Sequence, residues 1–156
     1  MDSYSEYLPD LTDWYNQNLG EEFLEYRSQI NQILQEENKL MEIVKLIGAD
    51  VLPDDQKLVI EIARVVRVGF LQQNAFHQED TFVPMEKQKC MMRTILHLYA
   101  RAKQLVAASI PISTILATGL FDKIVKMTYD VPNNQLEKFD AYIQEIDTAM
   151  DAIVQA

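Results

Sequence analysis

Hydrophobic positions recur along this chain at intervals of three and four residues, the spacing of helices that bury one face. The spacing holds over residues 21–47, where two glutamates at the start suit the positive amino end of a helix. One long helix of about 40 Å is therefore predicted there. A shorter helix is predicted over residues 9–18, ending at Gly20. Its aromatic face is interpreted as core, with an interface as the open alternative.

A tight corner is predicted at residues 48–52, immediately after the long helix. Gly48 can adopt the left-handed backbone that ends a helix, and Pro53 suits the first position of the next one. The next pattern predicts an amphipathic helix of about five turns. Its buried stripe is predicted at Leu58, Ile62, Val65, Val66 and Gly69/Phe70, and its polar face at Lys57, Glu61, Arg64 and Arg67.

The rest of the chain is predicted to be helical as well. Helices are predicted from Pro84 to about Ala108, from Pro111 until Gly119 stops the helix, over residues 121–127, and onward from a cap at Asn133 or Asn134. No long stretch alternates with period two, and no internal repeat or Gly/Ser-rich linker is present. The predicted fold is all-α: a single domain, residues 1–156, built as an irregular antiparallel helical bundle.

Composition and charge narrow the class of protein. Hydrophobic residues make up 48% and charged residues 24%, and no apolar run approaches the roughly 20 residues that span a bilayer. The net charge of −10 argues against nucleic-acid binding. It fits a basic protein partner, although a solvated acidic surface is the commoner meaning of such a charge. A start without signal-peptide features and a single cysteine, Cys90, predict a cytoplasmic location.

The sequence contains no clear catalytic or metal-binding pattern. The four scattered glycines exclude a phosphate-binding loop or a GxGxxG fingerprint of the usual kind. His77, Glu79 and Asp80 are interpreted as solvated turn residues, so no metal site is predicted. Cys90 and His97 lie two helical turns apart, about 10 Å, too far for proton transfer. No catalytic residue is predicted, and Cys90 is interpreted as a small buried residue.

Several motifs, in order, resemble one family. LIGADVLPDDQK and LQQNAFHQEDTF, with the following MEKQ and the upstream DWYNQNLGEEFLEYR, resemble the C-terminal helical domain of the catalytic subunit of rotary ATPases. The likeness spans nearly the whole chain and is closest to the vacuolar/archaeal-type A subunit. Agreement of several ordered motifs is far more specific than one short pattern.

The resemblance implies a fragment of a larger subunit, one that lacks the P-loop domain with its phosphate and magnesium ligands. Such a subunit binds ATP or ADP and alternates with B subunits around a central stalk. The complex, an ATP-driven proton or sodium translocase or ATP synthase, lies peripherally on the cytoplasmic face of a membrane. By this resemblance the domain moves as a lever that couples nucleotide binding to the stalk, and alone it is expected to be inactive.

Two sets of site residues follow from the resemblance. Phe76 matches the aromatic residue that helps enclose adenine, with Ala75 beside the ring and Gln73 and Asn74 as polar neighbours. The stalk-facing set consists of Leu52, Pro53, Asp54, Asp55 and Gln56, where shape and apolar contact at Leu52 and Pro53 are expected to matter more than charge.

From the residues alone, two interpretations stay open. The acidic cluster of Asp50, Asp54 and Asp55 lacks the spacing of a calcium loop and suits either helix capping or contact with a partner. The whole chain could instead be a free-standing helical interaction module that docks a partner through the aromatic face near its start and has no nucleotide role.

Overall fold

A computed structural model describes residues 21–71, 85–131 and 135–155 of the chain, and every regular element in these ranges is a helix. The all-α prediction is confirmed. The helix predicted over residues 9–18 and the predicted cap at Asn133 or Asn134 lie outside the described residues.

The first half contains two helices joined by the predicted corner. α1 spans Glu21–Ile47, matching its prediction at both ends, and a single 3-10 turn follows at Ala49–Val51. α2 spans Asp54–Val66 and continues directly into a π-helical segment, Arg67–Leu71. Together they give the predicted length of about five turns.

The second half contains one long helix, three short ones and a final helix. Their bounds are Met85–Ala107 for α3, Ile112–Leu116 for α4, Leu120–Val125 for α5, Met127–Asp130 for α6 and Lys138–Gln155 for α7. Gly119 has a left-handed backbone between α4 and α5, where the sequence predicted a stop.

The hydrophobic core lies where α1, α2 and α3 pack against one another. α5 and α4 cover another side of α2, and α7 lies along α3. The predicted stripe of α2 is buried, with Leu58, Ile62, Val65 and Val66 all inaccessible to solvent. Burial of a full stripe explains why α2 forms, since packing supplies most of a helix's stability.

Two details of the corner differ from prediction. Gly48 has φ 89° and ψ 158°, an extended conformation with positive φ that only glycine adopts readily, and not the left-handed helical one. Pro53 precedes the first residue of α2 as its N-cap, with φ −66° and ψ 162°. Because Pro53 is extended, the chain leaves the corner before it coils, and α2 begins one residue later than predicted.

No helix within the described residues is long and apolar enough to cross a membrane.

Candidate functional site

The corner is held by its own backbone hydrogen bonds. The Gly48 amide donates to the carbonyl of Val44 at 2.8 Å and closes the last turn of α1. The Leu52 amide donates to Ala49 at 3.1 Å, and the Pro53 carbonyl accepts from the first turn of α2. Because each end of the corner is bonded, it is a defined turn between two helices.

The stalk-facing residues named from sequence divide into buried and exposed ones. Leu52 is 6% exposed and fills the inside of the corner. Pro53 and Asp55 are exposed, whereas Asp54 and Gln56 are half-buried. Leu52 therefore supports the shape of the corner, and its direct contact with a partner stays a prediction.

Apolar surface at the corner comes from residues that the helical pattern had assigned to the core of α1. Leu46 is 84% exposed, Ile47 61%, Val51 58% and Ile43 38%. The expectation that Ile43 and Ile47 belong to the buried stripe is wrong, because α1 extends beyond the helices that cover its middle. These four residues are called the corner patch below.

Asp54 connects the corner to a distant part of the chain. Its Oδ2 accepts a hydrogen bond from the backbone N–H of Ile112, the first residue of α4, at 3.0 Å. This orphan amide at the start of a helix needs an acceptor, and a carboxylate suits the positive end of the helix. Of the two interpretations of the acidic cluster, Asp54 fits capping, while Asp50 and Asp55 remain exposed.

A shallow groove of about 460 Å³ runs beside the start of α2. It is bordered by Asp54, Asp55, Leu58, Lys103, Val106 and Ala107. The end of α3 therefore forms part of the surface next to the corner.

The opposite end of α2 carries its own anchors. Arg67 forms a two-armed ion pair with Glu37 of α1, whose side chain is 4% exposed. Gly69 lies against the backbone of Val125 in α5. After Leu71 the chain enters residues 72–84, so Gln73, Asn74, Ala75 and Phe76 lie outside the described residues and their nucleotide role stays a prediction.

The start of α3 holds a buried lysine that the sequence analysis did not single out. Lys87 is 3% exposed and donates a hydrogen bond to the carbonyl of Val131 at 2.6 Å. Burial lowers the pKa of this amine. The contact ties the start of α3 to the chain that leaves α6, and no local pattern reveals a contact over that distance.

Cys90 and His97 have separate environments on α3. Cys90 is half-buried, and burial raises the pKa of its thiol. His97 Nε2 lies 2.7 Å from Asp147 Oδ1 on α7, and the same carboxylate accepts a hydrogen bond from Arg101. His97 thus takes part in joining α7 to α3.

Metal chemistry receives no support from the described ranges. In residues 21–71, 85–131 and 135–155, no group of three His, Cys, Asp or Glu side chains is arranged to hold a metal ion.

The chain is similar to known proteins over almost its whole length. The model of a family described as the C-terminal domain of V and A type ATP synthase matches residues 12–116. A V-type ATP synthase alpha chain 2 of Clostridium tetani is 48% identical over 153 residues, covering 94% of this chain and 26% of the relative. A V-type ATP synthase alpha chain of Halothermothrix orenii is 44% identical over 147 residues, covering 94% and 25%.

A relative of the A type extends the same result. The A-type ATP synthase protein of this kind from Methanopyrus kandleri is 40% identical over 156 residues, covering 99% of this chain and 26% of the relative. The chain thus spans about a quarter of the length of these relatives. The resemblance carried by its motifs is confirmed: the chain belongs to the family of C-terminal domains of V- and A-type ATP synthases.

Proposed function

We propose that this chain is the lever of a rotary ATPase catalytic subunit, completing the adenine side of a nucleotide site and passing displacement to a central stalk. The intact subunit would hydrolyse or synthesise ATP, with B subunits as its neighbours in the ring. The coupled ion would be a proton or sodium. The complex would lie peripherally on the cytoplasmic face of a membrane.

Stalk contact is carried by one observation: the corner patch exposes large apolar side chains on a bonded turn. Leu46, Ile47 and Val51 are each more than half exposed, although the stripe of α2 beside them is buried. Exposed apolar clusters commonly mark protein interfaces. A corner whose backbone and Asp54 are both hydrogen-bonded can push on a partner without deforming.

The predicted charge contribution is small. Asp50 and Asp55 are exposed, and exposed ion pairs are usually worth less than about 1 kcal/mol each. The contact proposed here is therefore mainly apolar. Pro53, Asp55 and Gln56 lie next to the corner patch in the chain and extend the contact onto the first turn of α2.

The nucleotide role rests on Phe76, with Ala75, Asn74 and Gln73 beside it. These residues follow the far end of α2, so one helix would connect the adenine side to the corner. ATP or ADP would be held mainly by the larger subunit, which would also supply the phosphate and magnesium ligands. Phe76→Ala in the full-length subunit is expected to weaken ATP binding by about 1–3 kcal/mol, the scale of one base–aromatic contact.

Cysteine cross-linking in the assembled complex tests the stalk contact. With native cysteines removed, single cysteines at positions 46 and 51 should form disulfides with cysteines placed along the central stalk. Val154 is the matched control, because it is also apolar and is 60% exposed but lies on α7. Failure of positions 46 and 51 at every stalk position, or equal cross-linking from position 154, would contradict the proposal.

A further inference from the structure

The end of α2 that lies away from the corner is shaped by contacts with two other helices. Here the helix changes from α to π geometry at Arg67–Leu71. We call this segment, together with Glu37 of α1 and Val125 of α5, the α2 joint. π-helical turns are rare, and many of them occur at functional sites.

The first contact of the joint is an ion pair that Glu37 requires. The Glu37 side chain is 4% exposed, and both its oxygens face the two terminal nitrogens of Arg67. A buried carboxylate without a cationic partner is costly, so the pair is strongly favoured once α1 and α2 have packed. The two-armed geometry also fixes direction, because a planar guanidinium meets a carboxylate in one orientation.

The second contact is a close approach of two backbones. A Cβ added to Gly69 would lie 3.0 Å from the Cα of Val125 and 3.2 Å from its carbonyl oxygen. Backbone atoms cannot move aside as a flexible side chain can. Any larger residue at position 69 would therefore push the end of α2 away from α5.

The two contacts hold the joint on different sides of α2. Arg67 is drawn toward α1 and Gly69 toward α5, within three consecutive residues. The chain continues from this segment, without a further glycine or proline, into the stretch that carries Phe76. The direction in which the chain leaves α2 is thus set by tertiary contacts.

We propose that the α2 joint is a positioning device: Glu37, Arg67 and Gly69 set the exit direction of α2 and thereby the placement of the adenine-contacting residues that follow. The inference rests on the proposed adenine role of Phe76. It adds three residues that need not touch nucleotide, and it makes base recognition depend on the packing of α2 against α1 and α5.

The test uses a full-length subunit that carries this domain, with ATP and inorganic tripolyphosphate as probes. The tripolyphosphate has no base, so it reports the phosphate side of the site alone. Arg67→Gln, Glu37→Gln and Gly69→Ala should each weaken ATP binding by about tenfold, within the roughly hundredfold effect that a misplacement near 1 Å can have. Tripolyphosphate binding should stay unchanged.

Two matched controls accompany these variants. Arg64→Gln removes an arginine one turn earlier on α2, whose pairs with Glu61 and Asp122 are more exposed. Glu36→Gln changes the exposed neighbour of Glu37. Both should bind ATP and tripolyphosphate as the unaltered protein does.

The outcomes separate this inference from the proposed function. If Phe76→Ala weakens ATP binding but the joint variants do not, the inference is overturned and the adenine role stands. If the joint variants lose ATP and tripolyphosphate equally, the joint supports only general stability, and the inference is again overturned. If Phe76→Ala leaves ATP binding unchanged, the adenine role fails and the inference fails with it. Should Arg67→Gln and Glu37→Gln not fold, Gly69→Ala, which leaves no charge unpaired, decides the matter.

Discussion

The carboxylate of Asp54 accepts a hydrogen bond from the backbone N–H of Ile112 at 3.0 Å, joining two residues 58 positions apart. Asp54 begins α2 and Ile112 begins α4, so one side chain serves the amino ends of two helices. Its neighbour Asp55 is exposed. The two adjacent aspartates therefore have different duties, although they are indistinguishable in the sequence pattern.

Asp54→Ala should destabilise the domain more than Asp55→Ala. Both variants remove a negative charge from the first turn of α2, so the helix-dipole contribution cancels in the comparison. Only Asp54→Ala leaves the Ile112 amide without its acceptor, which should cost about 1 kcal/mol more, the usual scale of a lost cap. Urea denaturation of the two variants measures the difference. Equal midpoints would mean that the Asp54–Ile112 bond adds no stability.

Gly48 should tolerate no side chain, although there is open space around it. A Cβ built at Gly48 meets nothing within 4 Å, so the cost of Gly48→Ala comes from the backbone alone, about 1–3 kcal/mol for its conformation. Gly48→Asn should be equally costly. At an ordinary left-handed helix end asparagine is often accepted, so near-native thermal stability of Gly48→Asn would contradict the backbone described for this corner.

Features set by neighbouring residues were predictable from sequence. The ends of α1 follow from Glu21 and Glu22 at its start and Gly48 at its end, signals that operate within one turn. The buried stripe of α2 follows from spacing alone. Pro53 was misplaced by a single residue, because proline suits both the cap and the first helical position, and local sequence does not distinguish them.

Contacts between distant residues were not predictable in the same way. The pair of Arg67 with Glu37 spans 30 positions, and α2 gives no local sign that its polar face meets a buried carboxylate. The exposure of Ile47 was missed because periodicity shows which face of α1 is apolar, but not where the covering helices end. For the adenine-side residues, the motif itself remains the basis of prediction.

The corner patch should contribute little to the stability of the domain. Leu46 is 84% exposed, so Leu46→Ala should change the free energy of unfolding by no more than about 0.5 kcal/mol, as surface substitutions usually do. Leu40 lies on the same helix and is 3% exposed; Leu40→Ala should cost about 2–5 kcal/mol. Denaturant titration of both variants checks the contrast. A large loss from Leu46→Ala would assign this residue to the core.

Asp147 should make stability depend on pH in the acidic range. Partial burial alone would raise the pKa of Asp147, but its hydrogen bonds with His97 and Arg101 outweigh burial and hold the pKa below its ordinary value. A carboxyl whose pKa is lower in the folded state contributes stability above its unfolded pKa of about 3.9 and loses it as pH falls through the folded value. Asp147→Asn should therefore be less stable than the unaltered chain at pH 6, with the difference shrinking below about pH 4.

Asp140→Asn is the control for this pH dependence. Asp140 accepts a hydrogen bond from Arg93 at 2.8 Å, but its side chain is 71% exposed, so the pair should be worth less than about 1 kcal/mol. Thermal melts of both variants from pH 3 to pH 7 provide the comparison. A difference for Asp147→Asn that stays constant over this range would contradict the assignment.

The joining of α7 to α3 has a consequence for the ionic conditions under which the domain stays whole. Arg93, His97 and Arg101 stand one helical turn apart on α3 and face acidic residues of α7, a helix with four acidic side chains and one basic one. In a chain with net charge −10, this row of side chains offsets repulsion where α7 docks. Dissolved ions screen such partly exposed pairs, over about 8 Å at physiological strength and about 3 Å at 1 M. Concentrated salt should therefore loosen α7 while the apolar contacts among α1, α2 and α3 persist, so that the outermost helix is the one most sensitive to the salinity of its surroundings.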